Sequence, residues 1–452
     1  MEAMSTAKNM NREILGIGVP AFFETLFNTI ATIIDSRMVA VMGVSAISSV
    51  AVTNQPRLFV YSVFFALNTV TTSLIAKYHG KGNRDAANRV LDHGLKLVLI
   101  LSLVLSAAAV CLAEPIMLLF SGQADTLQDS VLYFRIVMAG MVFNLLFMEI
   151  NSVLRGFGLT KLTFMDNLLS CAVNILGNYL LIEGHWGFPA LGISGAALAT
   201  VLGNAAACML SFGFVCKRKL FTNIPYCFGK RYRMTRESLR EMLSMAKSCL
   251  TDNLAMRATL LAISGITARI GSFQMAVYSV GVYLLNVNYA LGTGLQTAAV
   301  TLIGKSYGQG DLKRLADYRK AITRLGLIGS AALAVCIMAS GRLFFAFFST
   351  DETFIEIGAA SAVLIGVVTI FQSFKFIYDG FLKGVGMMKE SMLCSVISFS
   401  CVNLGLVALL VLVLRTGIWG VWTGSLAAQA VQALLLYRYV RRTPVFQGGT
   451  TT

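Results

Sequence analysis

The sequence predicts an all-α polytopic membrane protein of twelve transmembrane helices in two six-helix lobes related by an internal repeat. Of its 452 residues, 56% are apolar or aromatic and only 13% are charged. Soluble domains carry roughly a quarter charged residues, so this chain has too little polar surface to clothe a water-soluble body. Apolar windows of about 20 residues, the length that crosses about 30 Å of hydrocarbon, recur from end to end. Glycines and lysines also recur at a constant offset of 228: Gly43 with Gly271, Lys77 with Lys305, Gly80 with Gly308, Gly82 with Gly310, Gly156 with Gly384, Gly158 with Gly386 and Lys161 with Lys389. Seven pairs in one register mark a duplicated unit.

The first dozen residues are polar, and the apolar run behind them outlasts a signal-peptide core, so no cleaved leader is expected. Spans then fall near 13–38, 46–76, 90–112, 127–155, 161–183, 192–216, 239–268, 275–304, 318–345, 353–382, 389–414 and 418–440. Connections after even-numbered spans carry the bases: Lys77, Lys81, Arg84 and Arg89; Arg155 and Lys161; Lys217 to Arg236; Lys305, Lys313, Arg314 and Lys320; Lys383 and Lys389. Those after odd-numbered spans hold Glu114, Asp125, Asp129, Glu183, Asp351 and Glu352 instead. This positive-inside pattern puts both termini in the cytoplasm and the protein in the cell inner membrane. It also accounts for the net charge of +15 without nucleic acid as a partner. Residues 1–216 are expected to form the N-terminal six-helix lobe, 217–238 a cytoplasmic linker, 239–440 the C-terminal six-helix lobe and 441–452 a cytoplasmic tail. Six spans per copy is an even number, so both copies enter the membrane from the same side.

Nine cysteines and three histidines are scattered, with no C-x-x-C spacing and no Ser-His-Asp set. No metal site, cofactor or enzymatic activity is expected.

An acid within a membrane span is costly, which makes it a functional candidate. On the first span Glu24 and Asp35 lie eleven residues apart, which at about 100° per residue brings them to the same face. With Asn28 and Thr32 they make one polar stripe. The fifth span carries Asn167, Cys171, Asn174 and Asn178 on one face, and the sixth places Thr200 among small residues. Neutral oxygens beside a carboxylate suit Na⁺, and they equally suit a protonating acid. In the second copy Asp252 matches Glu24, whereas Ile263 matches Asp35. Arg257, Lys375 and Asp379 are further charges at membrane depth, expected to pair with one another or to face a substrate.

These motifs resemble the MATE family, the multidrug and toxic compound extrusion antiporters, over about residues 12–440. The likeness is carried by Pro20 with Asp35 fifteen positions on, then Gly43. It continues in K-Y-H-G-K-G-N at 77–83 with K-S-Y-G-Q-G-D at 305–311, and in L-R-G-F-G at 154–158 with L-K-G-V-G at 382–386. It closes with V-N-I-L-G-N-Y-L-L-I at 173–182 leading to G-I-S-G-A-A-L-A-T at 192–200. The resemblance implies two lobes around a V-shaped cleft and export of amphipathic, often cationic compounds against H⁺ or Na⁺ entry. It places cation coupling on Asp35, Asn174, Asn178 and Thr200. Asn178 stands where some members carry a second acid. The acids other members hold on the seventh and tenth helices are here Met256 or a neighbour and Gln372, so the N-terminal lobe is favoured.

The expected function is thus secondary active multidrug efflux by alternating access, with H⁺ or Na⁺ as coupling ion (Na⁺ at Asp35) and no other cofactor. Glu24, Asn28, Asp252, Gln372 and Asp379 are the candidates for substrate contact. The expected partners are small-molecule drugs or organic cations and the lipid bilayer, with the protein as a monomer. The alternatives are a lipid-linked precursor flippase of the same superfamily and a non-transporting channel or scaffold.

Overall fold

The computed structural model describes residues 2–120, 126–217, 221–230, 232 and 236–447. Asp125, Arg218, Lys219, Arg231, Arg233 and the end of the tail from 448 lie outside the described residues. Helices and turns, with no strand, make up the described residues. In order they are α1 Glu2–Ala40, α2 Val44–Gly80, α3 Arg84–Cys111, α4 Ala113–Phe120, α5 Leu127–Ala139, α6 Met141–Gly156, α7 Thr160–Leu181 and α8 Ile193–Cys216. Then come α9 Ile224–Lys230, α10 Arg236–Ile270, α11 Ser272–Gln309, α12 Leu312–Ala346, α13 Glu352–Gly384, α14 Met388–Val413 and α15 Ile418–Arg442. The twelve expected spans correspond to α1, α2, α3, α5 with α6, α7, α8 and α10 to α15. α4 and α9 are short additions between them.

Seven of these helices are long and apolar enough to cross a membrane on length and composition alone, and α5 with α6, bent by 47° at Gly140, makes an eighth. The four that fall short, α7, α10, α11 and α15, are those whose apolar runs are broken by Asp, Asn, Arg or repeated Gly. In a membrane bundle such helices lie against other helices rather than lipid.

The 228-residue repeat is written into the backbone. α2 and α11 start at matched positions, 44 and 272, and so do α3 and α12 at 84 and 312. Left-handed glycines stand at matched corners: Gly43 and Gly271 at φ 104° and 143°, Gly82 and Gly310 at 67° and 73°, Gly158 and Gly386 at 79° and 90°. Only glycine takes that conformation without strain. Asn83 caps α3 by accepting from the Ala86 N–H, and its match Asp311 caps α12 by accepting from the Arg314 N–H.

The chain divides into two compact units, Phe23–Ala246 and Met1–Phe22 with Lys247–Thr452. The first half of α1 thus packs with the C-terminal copy. Ile14 and Ile17 join Leu302, Ile303, Tyr318, Phe381 and Leu436 in its core. In the other unit Val39, Ala46, Tyr133, Ile182 and Ala196 form one cluster, and Phe147, Ala207 and Cys208 another.

Candidate functional site

In the Phe23–Ala246 unit the polar face of α1 meets the polar face of α7. The Asn178 amide donates to one carboxylate oxygen of Asp35, Oδ1. One turn earlier on α7, Asn174 turns the other way and donates from Nδ2 to Thr200 Oγ1 at 3.3 Å, while the Thr200 hydroxyl donates to the Ala196 carbonyl at 3.0 Å. Small residues make this pairing of α7 with α8 possible. A Cβ on Gly203 would fall 2.6 Å from the Ser170 carbonyl oxygen and 3.1 Å from Asn174 Cβ, and one on Gly195 would fall 2.3 Å from the Leu181 carbonyl oxygen. Close backbone approach at small residues is how helices pack without a hydrophobic drive in lipid. All four predicted coupling residues therefore lie in one unit, as two bonded pairs, Asp35 with Asn178 and Asn174 with Thr200.

Glu24 is 4% exposed and fully engaged. Arg155, in the last turn of α6, donates from Nη2 to Glu24 Oε1. Asn167 Nδ2 donates to the same oxygen at 2.9 Å and the Thr163 hydroxyl donates to Oε2 at 2.8 Å. Asn28 Nδ2 lies 3.4 Å from Asn167 Oδ1, and Cys171 Sγ lies 3.8 Å from Asn28 Oδ1. Thr32 drops out of the stripe, its hydroxyl bonding back to the Asn28 carbonyl at 2.8 Å.

The C-terminal unit gathers Asp252 and Asp379 but not Gln372. Lys383 Nζ donates to Asp379 Oδ2 at 2.6 Å and stands 3.8 Å from Asp252 Oδ2. Gln296 also donates to Asp379 Oδ2, at 2.5 Å, and the Ser391 hydroxyl bonds Oδ1. The expected pairing of Asp379 with Lys375 or Arg257 gives way to Lys383, which lies at i+4 on the same helix face. Lys375 sits instead over the Phe376 and Phe399 rings, at 4.6 and 5.2 Å from their centroids. Gln372 belongs to a neutral network, accepting from Asn288 Nδ2 at 2.7 Å.

Several charged groups that take part in these networks lie outside the candidates drawn from the sequence. Arg155 and Lys383 read as cytoplasmic topology charges, yet each is the counter-ion of a buried acid. Arg57, inside α2, donates to Asn54 Oδ1 at 2.7 Å. Glu149 and Asp166 are both fully buried, bonded by the Thr71 and Ser211 hydroxyls at 2.8 and 2.9 Å. Being an acid in an apolar span is the signal that would have found these two. Among the described residues no cluster of His, Cys, Asp and Glu could hold a metal ion.

With the geometry in place, likeness to known proteins is informative. A sequence model of the family MatE matches residues 20–180 and 250–409, one block in each copy of the repeat. The chain is 23% identical over 419 residues to a probable multidrug resistance protein NorM of Thermotoga maritima, covering 92% of this chain and 89% of that one. It is 25% identical over 428 residues to an uncharacterized transporter, YisQ, of Bacillus subtilis, covering 93% and 91%. A solved structure described as the outward-facing conformation of a multidrug resistance MATE family transporter superposes with a TM-score of 0.89 over 98% of this chain and 97% of the other, at 18% identity. That likeness establishes a common fold.

Proposed function

The chain belongs to the MatE family, and from that premise we propose that it is a secondary active multidrug exporter, moving amphipathic or cationic organic compounds in antiport with H⁺ or Na⁺ by alternating access. The observation that carries the coupling role is the meeting of Asp35 with Asn178 beside the Asn174–Thr200 pair. At the matched positions of the second copy stand Ile263, Leu406 and Val402, none of which can hold a cation. Coupling chemistry is therefore concentrated in the N-terminal copy.

A carboxylate at membrane depth is unfavourable while charged and uncompensated, so capture of H⁺ or Na⁺ lowers its cost and release restores it. Asp35 Oδ1 is bound by Asn178, and the oxygens of Thr200 and the asparagines are the neutral donors a small hard cation uses. The name of the NorM relative supports drugs as the exported class. The alternation of basic and acidic connections supports a cytoplasmic-membrane location with both termini inside, and the protein acts as a monomer.

Proteoliposomes loaded with a fluorescent organic cation, given a Na⁺ gradient or a pH gradient in separate runs, test the reading. Efflux under one gradient, absent without either, is the expected result. Equal efflux with and without gradients would overturn antiport.

A further inference from the structure

Three side chains of α1 meet α7 in a single register. Glu24 meets Asn167, Asn28 meets Cys171 and Asp35 meets Asn178, each pair 143 positions apart. Glu24 and Asn28 also touch the α7 residue one turn earlier, Thr163 and Asn167, at 139 positions. The two helices form a polar zipper in which an α1 group sits between two α7 groups a turn apart. For Asp35 the residue at 139 is Asn174, which bonds Thr200 instead. A slip of one turn would therefore trade Asn178 for Asn174 at the carboxylate.

Apolar packing does little to prevent that slip, because between Glu24 and Val39 no α1 side chain is fully buried. The groups that resist it are charged. Glu24 is closed in by Arg155, Thr163 and Asn167, and displacement by a turn would take its buried carboxylate away from the guanidinium. The second copy shows the anchor as a separable part. Asp252, Lys383, Ser391 and Ser395 match Glu24, Arg155, Thr163 and Asn167 at the offset of 228, and Lys383, whose hydrogen bond goes to Asp379, also stands 3.8 Å from Asp252. The rest of the zipper is absent there: Met256, Ile263, Val402 and Leu406 replace Asn28, Asp35, Asn174 and Asn178. Each copy thus keeps an acid on its first helix near a base, and only in the N-terminal copy does that helix carry a second acid eleven residues on.

We infer that Arg155 is a positioning residue for the coupling cation: through Glu24 it sets the α1–α7 register that puts Asp35 on Asn178. The inference rests on Asp35 being the coupling group, as proposed above.

Two readouts test it, one of them independent of transport. With Asn28→Cys introduced, copper phenanthroline should link position 28 to the native Cys171, detected as a disulfide-joined peptide by mass spectrometry. Arg155→Ala should lose the link, whereas Arg155→Lys, which borrows the second copy's base, should keep it. In proteoliposomes Arg155→Ala should raise the Na⁺ or H⁺ concentration for half-maximal efflux about tenfold with the KM for the dye unchanged, the scale seen when partners of a cation ligand are removed. Arg155→Lys should restore it. An unchanged cross-link and unchanged cation dependence in Arg155→Ala would overturn the inference and leave the pair a mere stabiliser. If Arg155→Ala fails to fold, Arg155→Lys alone and Glu24→Asp with Arg155→Lys carry the test, and a folded Lys variant without the cross-link overturns it. If the cross-link follows Arg155 while efflux ignores replacement of Asp35, the coupling reading fails and the positioning role falls with it.

Discussion

Asp35 and Glu24 share a helix face but not an environment. Glu24 has three side-chain donors, one of them a guanidinium, while Asp35 has one neutral amide from Asn178. A carboxylate with a built-in counter-ion has little reason to exchange its partner, and one held by a single amide can accept H⁺ or Na⁺. Asp35→Asn keeps the shape and removes the switchable charge, so gradient-driven efflux should be abolished with expression and melting temperature near wild type. Wild-type efflux from a verified gradient in Asp35→Asn would make Asp35 structural and redirect the search to Asp252 and Asp379. Asp35, Asn174 and Asn178 were legible as members of polar stripes on their own helices and Thr200 as a polar residue among small ones, and the family resemblance singled out the four together. Sequence spacing did not reveal that Asn174 faces Thr200 rather than Asp35, since which neighbour an asparagine chooses depends on helix rotation, and that is fixed by contacts such as Gly203 against Ser170.

At the scale of elements, the described part of the basic linker is docked rather than loose. The Asn223 N–H donates to Asn88 Oδ1 at 2.9 Å, and Arg84 Nε donates to the Phe221 carbonyl at 3.0 Å. From α9 and just beyond it, Tyr226 and Tyr232 donate to Asp85 Oδ1 at 2.7 and 3.0 Å and Lys230 at 2.8 Å. The Lys230 ammonium and the two phenols hold the Asp85 carboxyl down to about 2. An unfolded aspartate titrates near 3.9, so the docked form favours ionisation: its stabilisation is full above about pH 4 and is lost as pH falls through about 2. Amide exchange across 223–230, corrected for intrinsic chemistry, should therefore stay flat between about pH 5 and pH 8, where Asp85 is ionised in both states. Asp85→Asn should speed it throughout that range. Protection in the wild type that collapses on going from neutral pH to pH ~5 would show that another group controls the docking. The sequence read 217–238 as a connector from its charge density, which registers solvent exposure but not that Asp85, in the first turn of α3, receives it.

For the whole molecule, the duplication sets what each half can do. Identical corners at Gly82 and Gly310, and packing glycines at Gly156 and Gly384 whose Cβ positions would meet matched neighbours, Ile75 and Thr72 in one copy and Ile303 and Val300 in the other, show one scaffold used twice. The scaffold was legible because glycine at a left-handed corner admits few substitutes. The specialisation was only partly legible, because Asp252 and Lys383 keep the anchor while Ile263 and Leu406 abandon the cation ligands. Six spans separate matched positions, and an even number returns the chain to the side it left. Positions 81 and 309, which differ by the repeat offset and lie at the C-terminal ends of α2 and α11, must then share a side. Lys81→Cys and Gln309→Cys, each introduced singly, should resist a membrane-impermeant thiol reagent added to intact cells and react once the cytoplasmic face is opened. One of the two reacting from outside would mean that the copies are inverted relative to each other, and the even-span duplication would have to be abandoned.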